Sequence, residues 1–466
     1  MNPSEGLQQA LNEIRETIVQ DNKVYQEQFP LVDHYTSSQA YGQSLLQLPG
    51  DLRNRFIQAL VNRIAYTKFT MDYFDNPLQE LENDELPLGA IGQDIYVNPA
   101  QGRVYNIDDF AGLLAKYSAD VKVEYTEINF DVQYPVTIIR KELEKAFVSW
   151  ASFEDFLLGI SQSLYNAAYI DSYNYTRKLI TNAYKNNAVQ METFSISTPS
   201  SPTKAELESL TERLQQAFLD FQAPSTDYNA WKKVGGYGRS ILSWSKPEDI
   251  IVFINNRFGS KLNVQVLANA FNIDKADLMG RVFYVPNFDI KDNDGNVIVD
   301  GSKIYAFICD RRWFKIRNKD MFMDEFYNAN NRSWQNFLNV IKSYNYSLFA
   351  NALMLVGEIP TINPTSMMFN ESSVTIEEDK SVKVMITTTP FNANATINVE
   401  SSDTSVATVS INGKEVTITG EGAGTTTITA TCGTASATIS VTGTAKPTPE
   451  TTPQTIPETT PATTPQ

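Results

Sequence analysis

Four short stretches of this chain, and its many aromatic residues, could do chemistry, and each has to be weighed against an ordinary structural use. His34 is the single histidine. A zinc site would need a second imidazole or a thiol beside it, and a base would need a nucleophile; the neighbouring sequence supplies neither, so His34 reads as incidental. Gly235-Gly236-Tyr237-Gly238 is rich in glycine but lacks the strand before, the helix after and the Lys-Ser/Thr ending of a phosphate cradle. It reads as a flexible loop. Asp292-Asn293-Asp294-Gly295-Asn296 opens like a calcium loop, yet Val297 stands sixth where glycine is needed and Lys303 stands twelfth in place of glutamate. A hairpin turn on Asp294-Gly295 is expected instead.

Glu80, Glu82, Asp84 and Glu85 are carboxylates that a hydrolase could pair as acid and base. They fall in a loop punctuated by Pro and Gly with no evident pocket, which predicts a solvated face or a docking surface for a basic neighbour. The 22 tyrosines and 25 phenylalanines could stack on bases or sugars, but few cations are interleaved with them. Packing in cores and interfaces is the expected use. No catalytic constellation, metal site or cofactor motif emerges, so the chain is expected to be no enzyme and to need no cofactor.

What must position these residues is a long, ordinary globular chain. At 466 residues it exceeds one hydrophobic core, and about three domains are expected. Hydrophobic residues at 42% and charged residues at 20% predict folding over most of the length. A net charge of -16 without a dense Lys/Arg stripe excludes tight binding to nucleic acid. The two cysteines, Cys309 and Cys432, lie far apart, so no disulfide framework is expected and an intracellular origin is favoured. The N-terminal stretch lacks the pattern of a signal peptide, and the apolar run at Leu353-Met354-Leu355-Val356 is too short to cross a bilayer. A soluble protein is expected.

Residues 1–50, with Leu7, Leu11, Ile14 and Ile18 among Gln and Asn, read as a marginal helix and extended arm that needs a neighbour for order. Asp51 is placed to cap a helix carrying Phe56, Leu60, Ile64 and Phe69. From Asn76 to Pro135, alternation at Val121, Val123, Tyr125 and then Ile128, Phe130, Val132, Tyr134 predicts an extended ribbon lying on another subunit. Ser152, with Asp155 three residues on, predicts the cap of a helix from Phe153 to about Asn186, roughly 50 Å long. Beyond it a mixed α+β region is expected: helices at Glu206–Phe221, Val264–Phe271 and Trp334–Tyr346, strands at Ile250–Ile254, Arg281–Val285 and Lys303–Ile308, Phe314–Ile316 as an added strand, and core again at Phe349–Val356.

After Pro360 short alternating runs, Val382/Val384/Ile386 through Ile439/Val441, predict a β-sandwich ending near Gly443, with a tight hairpin at Asn412-Gly413. Residues 444–466 repeat Thr-Thr-Pro with almost nothing apolar to bury, and are expected to be disordered or polyproline-like.

Several stretches resemble the major capsid (head) protein of Salasvirus-like small podoviruses. They run in order: Asn76-Pro77-Leu78, Leu86-Pro87-Leu88-Gly89, Asp94-Ile95-Tyr96, Ala146-Phe147-Val148-Ser149-Trp150, Tyr173-Asn174-Tyr175, Val266-Leu267-Ala268-Asn269-Ala270-Phe271-Asn272, Trp313-Phe314 and Phe349-Ala350-Asn351-Ala352. Ser402-Asp403, Val406-Ala407-Thr408-Val409 and Gly420-Glu421-Gly422-Ala423-Gly424-Thr425 are similar to the bacterial group-two Ig-like domain.

The resemblance implies the Johnson fold of tailed-phage capsids, α+β with a spine helix and an extended β-ribbon loop, plus a C-terminal all-β Ig-like sandwich. It implies an N-terminal arm at 1–50 and a shell domain at 51–358. Within the shell domain lie an extended loop at 76–135, a peripheral domain with the spine helix at 153–186 and an axial domain at about 200–340. The Ig-like domain would span 361–443. It further implies self-assembly into hexamers and pentamers that close an icosahedral or prolate shell around double-stranded DNA without sequence-specific binding. A scaffolding protein and a portal would be partners. Separately from the resemblance, the Ig-like domain is expected to offer a contact for glycan or host surface. Leu86, Pro87, Leu88, Ile95, Tyr96 and Trp150 are the expected inter-subunit residues. The rivals are a surface adhesin or glycan-binding protein, disfavoured by the missing signal peptide, and a phage-tail hydrolase, which lacks its catalytic residues.

Overall fold

The structure, a computed structural model, describes residues 5–19, 31–66, 74–82, 84–87, 91–106, 112, 115–199, 201–236, 238–259, 281–292 and 294–446. The helix expected at Val264–Phe271, the side chains of Ile64 and Phe69, and most of the Thr/Pro tail lie outside the described residues. Two compact units divide the chain, one of residues 1–232 with 236–359 and the other chiefly 360–466.

In the first unit the N-terminal residues fold onto their own chain. Helix α1 (Glu5–Val19) buries Leu7, Leu11 and Ile14 in the core that also takes Phe56, Ile57 and Leu60, and Asn12 pins the backbone of Val32 through both its N–H and its carbonyl, each at 2.8 Å. The expected need for a neighbour is therefore corrected, because spacing of four and three residues gives this helix one apolar stripe that its own subunit covers. Helix α2 (Ser38–Gln47) and helix α3 (Gly50–Tyr66) follow, with Asp51 in the first turn of α3.

Strand β1 (Asp84–Glu85) precedes a two-stranded antiparallel ribbon of β2 (Gly92–Val97) and β3 (Val121–Thr126). The alternating run after it does not extend the ribbon. It becomes β4 (Phe130–Ile139), a strand of the main body.

Helix α4 (Arg140–Ala146) leads into α5 (Trp150–Lys185), 36 residues and about 54 Å long. The cap is Ser149, whose hydroxyl accepts from the Ser152 N–H at 3.1 Å, one turn earlier than expected. Burial of Phe147, Trp150 and Phe153 on one side brings the helix start forward.

Strand β5 (Gln190–Thr193) and helix α6 (Lys204–Asp220) come next, the latter held by a reciprocal cap between Thr203 and Glu206. Then follow β6 (Ile250–Asn255), β7 (Val282–Val285), the small hairpin β8 (Ile290–Lys291) and β9 (Val297–Val299), and β10 (Ile304–Asp310). The strands near residues 282 and 304 do not pair with each other; each flanks β6.

Phe314 begins a 15-residue strand, β11 (Phe314–Asn328), and Ser333–Tyr346 is strand β12, not a helix. Trp334, Leu338 and Val340 repeat on one face at even steps, while Phe337 and Ile341 also satisfy three- and four-residue spacing. The pattern is ambiguous by itself, and the antiparallel partner β11 decides it. Strand β13 (Ala352–Val356) completes the unit.

Two sheets result. The first, in order β1-β11-β12-β4, lies on α5, with Tyr134 donating to Asp171 at 2.8 Å and Tyr344 to Ser172 at 3.1 Å. The second, β5-β13-β10-β6-β7, is covered by α6 on one face through Leu210, Leu214 and Phe221, and on the other by the core shared with α5. Burial on both faces is why β6, β10 and β13 read as continuous apolar runs.

The second unit is a sandwich of two four-stranded sheets. The first holds β14 (Ser366–Phe369), β16 (Ser381–Thr389), β18 (Ala407–Asn412) and β19 (Glu415–Gly420). The second holds β15 (Ser373–Glu377), β17 (Asn398–Ser401), β20 (Gly424–Cys432) and β21 (Ala435–Thr444). Val384, Ile418, Ile428 and Val441 fill the space between the sheets. In the β18–β19 hairpin Asn412 pairs with Glu415, so the turn residues are Gly413 and Lys414, and only Gly413 has a positive φ, +63°.

Candidate inter-subunit surface

Two of the chemical candidates are held by bonds within their own loops. Asp292 accepts from the N–H groups of Asp294 and Asn296 at 3.0 and 2.7 Å and from the Asn296 amide at 3.0 Å, around Gly295 at φ +87°. Its carboxylate is thus used by its own hairpin, and these bonds hold its pKa below the usual range, the Asn296 side chain foremost. Gly236 packs on the Trp231 indole and its N–H donates to the Trp231 carbonyl at 2.7 Å.

The acidic run does border a groove, of about 720 Å³, lined among others by Glu82, Glu85, Tyr169, Ser172 and Lys342. Within it Glu82 is ion-paired to Lys342 at 2.6 Å and accepts from Ser172. The basic partner of Glu82 thus comes from its own chain. Among the described residues no three His, Cys, Asp or Glu side chains gather to hold a metal ion, and no helix is long and apolar enough to cross a membrane.

The ribbon is different, because its amphipathicity is inverted. Asp94, Tyr96, Lys122, Glu124 and Thr126 point inward. Asp94 meets Arg317 at 2.7 Å and Lys315 at 3.2 Å, and Lys122, 1% exposed, meets Asp120 at 2.6 Å. Tyr96 donates to the Leu242 carbonyl and packs on Phe349 with ring centres 5.8 Å apart. Asn98 ties the end of β2 down, donating to Asp120 at 2.7 Å and to the Ser240 carbonyl at 3.0 Å.

The opposite face carries Ile95, Val97, Val121 and Tyr125, and all four are exposed, Ile95 at 60% and Tyr125 at 67%. Polar partners supplied by β11 draw the charged face inward. The period of two then sends Ile95, Val97, Val121 and Tyr125 outward.

The six expected contact residues separate accordingly. Ile95 and Pro87 are exposed, Tyr96 is half-buried, and Leu88 lies outside the described residues. Leu86 is buried, with its N–H donating to the Asn318 carbonyl at 2.8 Å. Trp150 is 2% exposed between Tyr41 and Phe153, its indole N–H donating to the Thr36 carbonyl at 2.9 Å, and so has no surface to offer a neighbour. Val97, Val121 and Tyr125 were not singled out as contacts. Their alternation was visible, but alternation does not say which face is buried.

A long helix beneath a sheet with a 15-residue strand, a second sheet covered on both faces and an extended ribbon together define a tailed-phage capsid subunit. The fold is similar to that in the capsid structure of Staphylococcus phage Andhra, with a TM-score of 0.50 and 14% identity, covering 63% of this chain and 87% of that one. The chain belongs to the Phi29-like phage major capsid protein family, whose sequence model matches residues 11–356. Residues 364–443 match the bacterial Ig-like domain of group 2. The major capsid protein of Bacillus phage PZA is 27% identical over 326 residues, 69% of this chain and 68% of the relative. That of Streptococcus phage Cp-1 is 26% identical over 306 residues, 64% of this chain and 81% of the relative. The protein is a major capsid protein, a structural component of the virion.

Proposed function

We propose that the ribbon is the arm by which one subunit grips the next copy in a shell around phage double-stranded DNA. The observation that carries this reading is the exposed row of Ile95, Val97, Val121 and Tyr125 on a ribbon whose charged face is already satisfied. Two strands alone are marginal in water, and an apolar row left in solvent favours association.

The receiving surface in the neighbouring copy is the outer face of the sheet on α5. There Phe322 and Phe326, 41% and 59% exposed, alternate outward beside Ile139 on the far edge strand. Such head-to-tail contacts close into rings when the rotation between copies allows it, which suits hexamers and pentamers.

We assign the peripheral part to α5 with the β1-β11-β12-β4 sheet and the axial part to α6 with the five-stranded sheet. Residues 314–346 then belong with the spine helix, since they hydrogen-bond to β4. Assembly in the host cytoplasm with a scaffolding protein and a portal is a proposal supported by the family resemblance, and a glycan or host-surface contact through the Ig-like unit is a separate one.

The test is the double variant Ile95→Asp/Tyr125→Asp, followed by sedimentation and negative-stain microscopy with and without the products of neighbouring genes. The expected outcome is a folded subunit that forms no rings or shells. Shells of normal yield from this variant would sink the arm reading.

A further inference from the structure

We propose that the charged cluster at the root of the ribbon, Asp94 and Glu124 above Lys315 and Arg317, is a pH-controlled latch that holds the ribbon to its own subunit in mild acid and loosens it as the pH rises towards neutrality. The proposal rests on reading the ribbon as an inter-subunit arm and adds what governs its release.

The geometry begins with register. Asp94 and Glu124 are directly opposed on β2 and β3, so two carboxylates leave the same face of adjacent strands, an arrangement that destabilises an antiparallel pair unless cations intervene. The cations come from β11. Both engage Asp94, Arg317 at 2.7 Å and Lys315 at 3.2 Å, and Arg317 also donates to the Thr126 hydroxyl.

Glu124 is served less well. Its hydrogen-bond donor is the Leu348 backbone N–H, 3.4 Å from each carboxylate oxygen. The other titratable groups that face it are Tyr346, at the end of β12, and the Asp94, Lys315 and Arg317 side chains already named. Lys122, further along the same face, is taken by Asp120 at 2.6 Å.

Burial, with a smaller push from Asp94, raises Glu124 from 4.5 to about 7, against partial relief from Leu348 N–H, Lys315 and Arg317. With the ribbon lifted off the body, the carboxyl returns to water and to its ordinary range. The docked ribbon therefore holds its proton more tightly than the lifted one. The penalty that Glu124 places on docking is absent below pH 4.5, grows between 4.5 and 7, and is complete above 7. A shift of this size corresponds to at most on the order of a hundredfold in the docking equilibrium, and partial solvent access reduces it to roughly tenfold or more.

The test is amide hydrogen exchange of the unassembled full-length subunit from pH 4.5 to 8.5, read as protection factors corrected for the intrinsic pH dependence of exchange. Amides of β2 and β3 are expected to lose ten- to a hundredfold in protection across this range while those of α5 hold. Glu124→Gln, which keeps shape and cannot ionise, is expected to keep the ribbon protected at every pH. A flat wild-type profile, or an unchanged slope in the variant, overturns the latch. Should the variant not fold, the wild-type ratio of ribbon to α5 protection decides alone. Shells that form normally beside a flat profile remove the latch and leave the arm standing; a pH-dependent profile from a subunit that forms no shells does the reverse.

Discussion

The Glu82 carboxylate and the Lys342 ammonium meet at 2.6 Å with their side chains only 6% and 16% exposed, tying the loop that leads to the ribbon to the long hairpin strand β12. Residues 260 positions apart in sequence are fixed by this pair. Ser172 on α5 donates to the same carboxylate, so loop, hairpin and spine helix converge on Glu82.

Removing one partner leaves a buried charge. Lys342→Met is expected to destabilise the subunit by about 3–5 kcal/mol, whereas Glu82→Leu with Lys342→Met is expected to lie close to wild type. Chemical denaturation of both variants checks this, and equal losses in the two would remove the charge argument.

Trp150 and Ile95 are expected to behave oppositely. Trp150→Ala empties a core site and orphans the Thr36 carbonyl, at a cost of about 3–5 kcal/mol in unfolding free energy. Ile95→Asp, on an exposed position, is expected to change subunit stability by no more than about 0.5 kcal/mol while lowering the yield of shells. Denaturation and particle counts on the same preparations separate the two effects.

Glu325, on the core side of β11, has one carboxylate oxygen buried without a hydrogen-bond partner, beside Asn336, whose two amide atoms are likewise unpartnered. Burial raises its pKa from 4.5 to about 7. Because the folded value lies above the unfolded one, its destabilising effect is absent below pH 4.5 and grows as the pH rises to 7. Glu325→Gln is expected to stabilise the subunit at pH 8 by roughly 1–2 kcal/mol, discounted for partial exposure, and to do nothing at pH 4.5. Melting curves at the two pH values test this.

Glu206 works in the other direction. Hydrogen bonds from the Ser197 N–H and hydroxyl and from the Thr203 N–H and hydroxyl, all at 2.7–2.9 Å, lower its pKa from 4.5 to about 2. The stability it lends α6 is fully present above pH 4.5 and is lost as the pH falls through about 2. Glu206→Gln is expected to flatten the acid limb of the unfolding curve between those values. A curve unchanged by the substitution would mean that these bonds do not carry the linkage.

Several elements were legible because their signal is local. The α5 helix follows from apolar residues at three- and four-residue steps without proline, the sandwich from short alternating strands, and the Asp294-Gly295 turn from glycine's access to positive φ. Others were misread where one pattern fits two structures. Ser333–Tyr346 satisfies helical and strand spacing together, and only the hydrogen bonds to β11 and β4 choose between them.

By itself the sequence determined the family of the protein, the presence of the Ig-like sandwich and the extended conformation of the alternating runs, since periodicity and ordered motifs are properties of neighbours along the chain. Tertiary structure decided which side of the ribbon meets water. Alternation specifies two faces and is silent on their orientation; Lys315 and Arg317, some 190–220 residues away, supply the charges that turn Asp94 inward and leave Ile95 and Tyr125 facing out.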